Sequence, residues 1–182
     1  RGPLAGPVVA AAVILPEDHE ILGLDDSKKL TQKRRAELEG QIVEKTAHAI
    51  ALCDQREIDE INLLQAPMHV MTRAVDGLSQ SPDHVLVDGN RLPKWSYSSS
   101  AIVKGDALSL SIAAASIVAK VQRDAIMVDL AQQFPGYGWE RNMGYPTKAH
   151  RQALQDLGVT PHHRRSFKPV HNILYQDKNV TC

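Results

Sequence analysis

Residues 8–15, Val-Val-Ala-Ala-Ala-Val-Ile-Leu, form an unbroken apolar run closed by Pro16. A membrane helix needs about 20 such residues, so this run is far too short to span a bilayer. It is partly β-branched and has no polar side, which reads as a strand buried on both faces. A strand of that kind belongs in a sheet covered by helices. The rest of the chain must supply those helices in alternation with further strands.

It does. Thr31 caps a predicted helix over about residues 32–48, with Leu38, Ile42 and Val43 on one side. Residues 47–53 read as a second strand. Ile58, Ile61, Leu64, Met68, Met71, Val75 and Leu78 recur at helical spacing across residues 57–78, with Pro67 kinking or dividing that helix. Residues 84–89, His-Val-Leu-Val-Asp-Gly, are a short strand ending on an acid and a glycine, and 98–103 is the next strand. Residues 108–134 form a long alanine-rich helix. The alternation predicts an α/β fold with a mixed sheet flanked by helices. After Pro135 the glycines and aromatics of a loop lead into a short helix over about 147–157. The boundary therefore falls between residues 1–135 and 136–182.

Hydrophobic residues at 43% and charged residues at 23% place the chain among globular proteins and exclude disordered and collagen-like classes. The zero net charge hides an asymmetry. Residues 1–140 carry 14 basic and 19 acidic side chains, whereas residues 141–171 carry six basic ones against Asp156 alone. Four histidines, His150, His162, His163 and His171, lie in that basic segment, which points to an acidic ligand. Cys53 and Cys182 make no disulfide framework, so a reducing compartment, the cytoplasm, is expected, with no membrane segment.

Asp88 is the most informative residue. It sits where a Val-Leu-Val strand meets Gly89, and open α/β sheets place their sites at such strand ends. The alternative is a local turn in which the side chain bonds its own backbone. Asp124 follows a run of small residues, Ala113, Ala114, Ala115, Ser116 and Ala119, that lets a sheet or a ligand approach the helix closely. The alternative is a surface ion pair with Lys120. Two carboxylates from different elements suit Mg²⁺ or Mn²⁺, and they are expected within metal-bridging distance of each other. Asp106 reads as a helix cap or first-turn acid. His162 and His163 lack zinc spacing and read as a phosphate-facing loop.

Seven motifs in order carry a resemblance. Arg1-Gly-Pro-Leu-Ala-Gly-Pro-Val-Val-Ala-Ala-Ala-Val, Asp26-Ser-Lys-Lys-Leu, Val87-Asp-Gly, Lys104-Gly-Asp, Ala113-Ala-Ala-Ser-Ile-Val-Ala-Lys-Val-Gln-Arg-Asp, Gly144-Tyr-Pro-Thr-Lys and His163-Arg-Arg-Ser-Phe resemble bacterial ribonuclease HII, the type 2 ribonuclease H. The resemblance runs from residue 1 to about residue 170. It implies a ribonuclease H-like sheet over residues 1–135 and a small basic, partly helical segment over 136–182. It also implies an endonuclease that cleaves the RNA strand of RNA–DNA hybrids and incises at ribonucleotides embedded in duplex DNA. Four carboxylates and a divalent metal serve that family, and Asp88 and Asp124 match the third and fourth. Arg1 and Gly2 match the end of a Gly-Arg-Gly segment that reads the 2′-hydroxyl. Tyr145 matches a tyrosine that stacks on the sugar beside the cleaved bond, and Lys28 a lysine near the substrate backbone. Taken without the resemblance, Tyr145 is a half-buried loop aromatic and Lys28 a solvated charge. Arg164 and Arg165 are expected to touch phosphates.

The family's first strand ends in Asp-Glu-x-Gly-Arg-Gly, and only Arg1-Gly2 of that motif stands in this sequence. The resemblance therefore implies a chain lacking its first strand and first two metal carboxylates, inactive as it stands and monomeric. A hybrid-binding module without catalysis is the alternative. A small-substrate phosphatase is disfavoured by the basic C-terminal segment and Tyr145.

Overall fold

The computed structural model describes residues 2–175. Its elements follow in the order β1 (Val8–Ile14), α1 (Gln32–Lys45), β2 (Ala47–Cys53), α2 (Gln55–Ile61), α3 (Ala66–Asp76), β3 (Val85–Asp88), β4 (Ser99–Ile102), α4 (Leu110–Gln133), α5 (Trp139–Asn142), α6 (Lys148–Leu157) and α7 (Lys168–Tyr175). A single 3₁₀ turn at Gly105–Ala107 precedes α4. The α/β class expected from the alternation is the class observed.

Local chemistry sets several boundaries. The Thr31 hydroxyl accepts from the Arg34 N–H and starts α1, and the Thr147 hydroxyl accepts from the His150 N–H and starts α6. The apolar periodicity over 57–78 is divided rather than kinked. Asn62 adopts a left-handed φ of 67°, and its side chain accepts from the N–H groups of Leu64 and Gln65. Pro67 then enters the first turn of α3, where its missing N–H has no partner to lose.

The strands form two pairs among the described residues, β1 with β2 and β3 with β4, where one mixed sheet was expected. β3 and β4 are parallel, with Val85 opposite Ser99 and Asp88 opposite Ile102. A cleft of about 670 Å³ separates β1 from β3, lined by residues 10–15 and 83–88 and by Ser111, Ala115 and Ala119 of α4. The small residues on this face of α4 floor the cleft. Burial of residues 8–15 on both faces is thereby corrected. All seven β1 residues are only half-buried, because this run borders an open cleft.

The described chain divides into two compact units. One comprises residues 9–52 and 67–122. Its core joins Leu38 and Ile42 of α1 to Ala114, Ile117 and Val118 of α4, with Ile21 and the half-buried Ala11 and Val13 of β1 against them. Each fully buried Leu or Ile there contributes roughly 1.5–3 kcal/mol. The other unit comprises residues 2–8, 53–66 and 123–175, so the C-terminal segment groups with the first residues of the chain. Its core holds Ala5, Met127, Leu130, Tyr137, Trp139 and Ala153, with the Tyr137 and Trp139 rings stacked at 5.1 Å. Leu4, Leu154 and Val170 of α7 form a second cluster in this unit.

Candidate functional site

In the unit of residues 9–52 and 67–122, Val87 is buried and anchors β3, and Asp88 emerges exposed at the strand's C-terminal end. Its Oδ1 accepts the Gly105 N–H at 2.9 Å, 17 residues away in sequence. The side chain thus braces a neighbouring loop rather than closing its own turn. The approach requires glycine: a Cβ on Gly105 would lie 2.5 Å from Ile112 Cδ1 and 3.4 Å from Asp88 Oδ1. Gly89 continues the ladder by donating to the Ile102 carbonyl at 2.9 Å, with a φ of 117° that glycine tolerates.

Asp106 follows Gly105 in the 3₁₀ turn and is buried, a first-turn acid as expected. Its Oδ2 lies 3.4 Å from Lys28 Nζ, which is also 3.9 Å from Asp26 Oδ1. The Lys28 side chain is 78% exposed, so these pairs contribute at most about 1 kcal/mol. The structure therefore brings Asp88, Asp106 and Lys28 to one edge through residues 105–106.

The other unit holds Gly2, Asp124 and Tyr145, while Arg1 lies outside the described residues. Gly2 is exposed and Asp124 is partly buried on α4. Tyr145 is 46% exposed, at the end of a loop whose backbone is fixed from both sides. Leu4 donates to the Gly144 carbonyl at 2.7 Å, Arg164 to the Leu4 carbonyl at 2.8 Å, and Gly6 to the His162 carbonyl at 2.9 Å. Gly144 has a φ of 80°, and a Cβ there would lie 2.5 Å from the Ala5 carbonyl oxygen. Gly144→Ala is accordingly expected to lower stability by about 2 kcal/mol or more through strain and the forced separation of these segments. A thermal melt checks it, and an unchanged midpoint would show that the segments part freely.

Two sequence expectations are corrected here. His163 does not face a phosphate: it is 1% exposed and belongs to a buried network. Arg164, also 1% exposed, donates to the Gly6 and Pro7 carbonyls rather than to solvent or ligand. Arg165 is exposed, and Asp59 holds its backbone by accepting the N–H groups of Arg165 and Ser166, both at 2.9 Å.

The buried network sits beneath Tyr145. The Thr160 N–H donates to His163 Nδ1 at 3.0 Å, so His163 carries its proton on Nε2. That proton faces His150 Nε2 at 3.1 Å, which also accepts from Trp139 Nε1 at 3.0 Å. His150 is therefore protonated on Nδ1 and donates to the Tyr145 carbonyl at 2.9 Å. Both rings are neutral. Burial, then the neighbouring His150, pushes His163 down to about 3, and burial lowers His150 as well. A depressed histidine leaves stability unaffected above the unfolded value of about 6.5 and removes it as pH falls from there toward the folded value. Between pH 6.5 and 5, His163 alone is expected to withdraw about 2 kcal/mol. Melting should fall by roughly 4–8 °C between pH 7 and 5. Equal midpoints at the two pH values would exclude the neutral pair.

Burial likewise pushes the Arg164 guanidinium down to about 10, with Arg123 adding to the shift. Burial lowers Arg123 too, opposed by Tyr145 and Asp124. Carboxylate oxygens are the donors that hard divalent cations prefer, and Asp88 and Asp124 are of that kind. Among the described residues, however, no three His, Cys, Asp or Glu side chains gather where they would hold a metal ion. The donors fit in type and fall short in number. No helix among the described residues is long and apolar enough to cross a membrane.

The family described as Ribonuclease HII matches residues 1–170. The chain is 61% identical over 178 residues to the Ribonuclease HII of Ruegeria sp. (strain TM1040), covering 97% of this chain and 78% of that protein. Its fold matches the crystal structure of the ribonuclease H2 from Pyrococcus horikoshii OT3 with a TM-score of 0.82 at 27% identity, covering 98% of this chain and 95% of that one. A crystal structure of Bst-RNase HIII in complex with Mn²⁺ matches with a TM-score of 0.68 at 19% identity, over 97% of this chain and 67% of that one, a likeness of fold.

Proposed function

The chain belongs to the ribonuclease HII family, whose members are ribonuclease H hydrolases, and from that premise we propose that it cleaves the RNA strand of RNA–DNA hybrids and incises at ribonucleotides embedded in duplex DNA. The products carry 5′-phosphate and 3′-hydroxyl ends. Asp88 carries the reading: an exposed carboxylate at the end of a parallel strand, with one oxygen fixed by the Gly105 N–H and the other left to act.

Asp88 and Asp124 are the residues that would hold a divalent cation, Mg²⁺ or Mn²⁺, and a Mn²⁺ complex of the distant Bst-RNase HIII supports that class of ion. The chemistry a divalent cation would supply there is activation of the attacking water and stabilisation of the leaving 3′ oxygen. The chain's own residues do the rest. Arg1 and Gly2 meet the 2′-hydroxyl, the group that separates RNA from DNA. The half-exposed Tyr145 ring stacks on the adjoining sugar. Lys28, anchored to Asp106, places its charge near the substrate backbone, and the exposed Arg165 supplies a phosphate contact. The protein works as a monomer, with residues 1–135 as the ribonuclease H-like part and 136–182 as the basic C-terminal loop and helical segment. The buried thiol of Cys53 suits a reducing compartment such as the cytoplasm.

A second reading, a chain that binds the hybrid without cutting it, draws on one observation: no three metal-ligating side chains come together among the described residues. One experiment separates the two. The chain is compared with a version carrying a strand that ends in Asp-Glu-x-Gly ahead of Arg1. Both receive a labelled RNA strand paired with DNA, and separately a small phosphate monoester, in Mg²⁺ or Mn²⁺. The extended protein is expected to cut the hybrid and spare the monoester. Tight binding without cutting by both supports the second reading, and hydrolysis of the monoester alone sinks both.

A further inference from the structure

We propose that Arg164 and Arg123 are positioning residues for ribonucleotide recognition, because Arg164 fixes the Gly6 and Pro7 carbonyls while Arg123 ties those of Ala5 and Pro7 to that of Met143, and together they set where Gly2 and Tyr145 stand relative to each other. This rests on the reading of Gly2 and Tyr145 as substrate contacts.

The geometry is specific. Arg164 donates through Nε to the Gly6 carbonyl at 3.0 Å and through Nη2 to the Pro7 carbonyl at 3.3 Å. Arg123 donates through Nε to the same Pro7 carbonyl at 3.2 Å, through Nη2 to Ala5 at 3.4 Å and through Nη1 to Met143 at 3.0 Å. Residues 5–7 can offer little but oxygen. Pro7 has no N–H, and the Gly6 N–H already donates to the His162 carbonyl. Gly6 sits at a φ of 82°, and a Cβ there would overlap the Met127 sulfur, so the segment passes where only glycine fits.

Packing alone does not call for this arrangement. A buried guanidinium is costly to desolvate, and an apolar side chain of similar size often serves stability as well or better. What arginine adds is a rigid fork of donors that holds several acceptors at fixed angles. Here the Arg123 fork spans two chain segments, and the Arg164 fork holds the first of them in place. One leads from Pro7 back to Gly2, three residues before Ala5. The other leads from Met143 to Tyr145, two residues on. Backbone groups that read a 2′-hydroxyl and a ring that stacks on the next sugar must meet one substrate at once. A misplacement of about 1 Å costs on the order of 100-fold in comparable sites. Lysine keeps the charge but presents a single point donor, so it holds one carbonyl where arginine holds two or three.

The test uses the full chain and two fluorescein-labelled DNA duplexes of one sequence, one of them carrying a single ribonucleotide. Affinities come from fluorescence anisotropy, alongside a melting curve for each protein. Arg164→Lys and Arg123→Lys are each expected to shrink the preference for the ribonucleotide-containing duplex on the order of 10-fold, with the all-DNA duplex bound about as before through phosphate contacts. A lowered melting point with an unchanged preference overturns the inference and leaves the arginines a purely structural role. If Arg164→Lys does not fold, the less buried Arg123 gives the same readout. Tyr145→Ala separates the premise from the inference. Should it reduce the preference while both lysine variants keep it, the inference fails alone. Should it leave both affinities untouched, or should the unaltered chain bind the two duplexes equally, the substrate reading fails.

Discussion

Asp88→Asn is expected to abolish most hybrid cleavage in the protein carrying the Asp-Glu strand, by about 100-fold or more. Loss of a group that merely supports a metal ligand already costs about 10–100-fold, and a ligand itself should lie at or beyond the upper end. The substitution is conservative in shape. The Gly105 N–H that donates to Asp88 Oδ1 at 2.9 Å finds the same acceptor in the asparagine carbonyl oxygen. Gly105 therefore keeps its place against Ile112, and the loop leading to the buried Asp106 stays where it is. Only the charge is lost, and with it the affinity for a hard cation. Binding of the hybrid should hold or tighten slightly, since an exposed negative charge facing phosphates has been removed. Cleavage rates at physiological Mg²⁺, hybrid affinity and a melting curve check this together. Near-normal turnover would refute the role, and a collapsed melt would assign Asp88 to the fold instead.

Asp88 also shows what was legible in the sequence. The strand before it and the glycine after it are local signals, and the structure ends β3 on that residue. Thr31 was equally legible, because an N-cap is a contact between residues three apart. Arg164 and His163 were not. Their neighbours made them look like a phosphate-facing basic loop, but their burial depends on Gly6 and Pro7, more than 150 positions away, and on His150 and Thr160. Nothing in a run of charges reports such partners. The same holds for β1. Its apolar run announced a strand, but how deeply a strand is buried depends on what lies beside it, and residues 10–15 border a cleft. The α7 helix was missed although Val170, Ile173 and Leu174 stand at helical spacing and pack on Leu4 and Leu154. The four-residue α5 is too short for any period to declare itself. In the candidate site, single residues were legible, and their bracing through Gly105, Asp106 and His150 was not.

Tyr145→Ala should weaken cleavage at an isolated ribonucleotide in duplex DNA more than cleavage within an all-RNA strand paired to DNA. Stacking of an aromatic ring against a nucleotide contributes about 1–3 kcal/mol, so the isolated-ribonucleotide rate should fall about 5- to 150-fold. The ring is free to stack: it is 46% exposed while its own backbone is tightly held. The Tyr145 N–H donates to Asn142 at 2.8 Å, its carbonyl accepts from Thr147 at 2.8 Å and from His150, and Gly144 before it is pinned by Leu4. A ring presented by so fixed a backbone gives up little conformational freedom on binding. A deoxyribose beside the cleaved bond fits a flat ring closely, whereas a 2′-hydroxyl at that position holds the sugar off it. An all-RNA strand therefore gains less from the contact and loses less when it goes. The opposing possibility is that Tyr145 supports the loop. The bonds that order this loop are made by backbone groups and by the side chains of His150, Asn142, Arg123 and Arg151, all of which the alanine variant retains, so the melting point should move by no more than about 1–2 °C. Rates on the two substrates, read beside the melt, decide the matter. Equal losses together with a lowered midpoint would make Tyr145 a structural residue, and an unequal loss on an intact fold would make it the reader of the RNA-to-DNA junction.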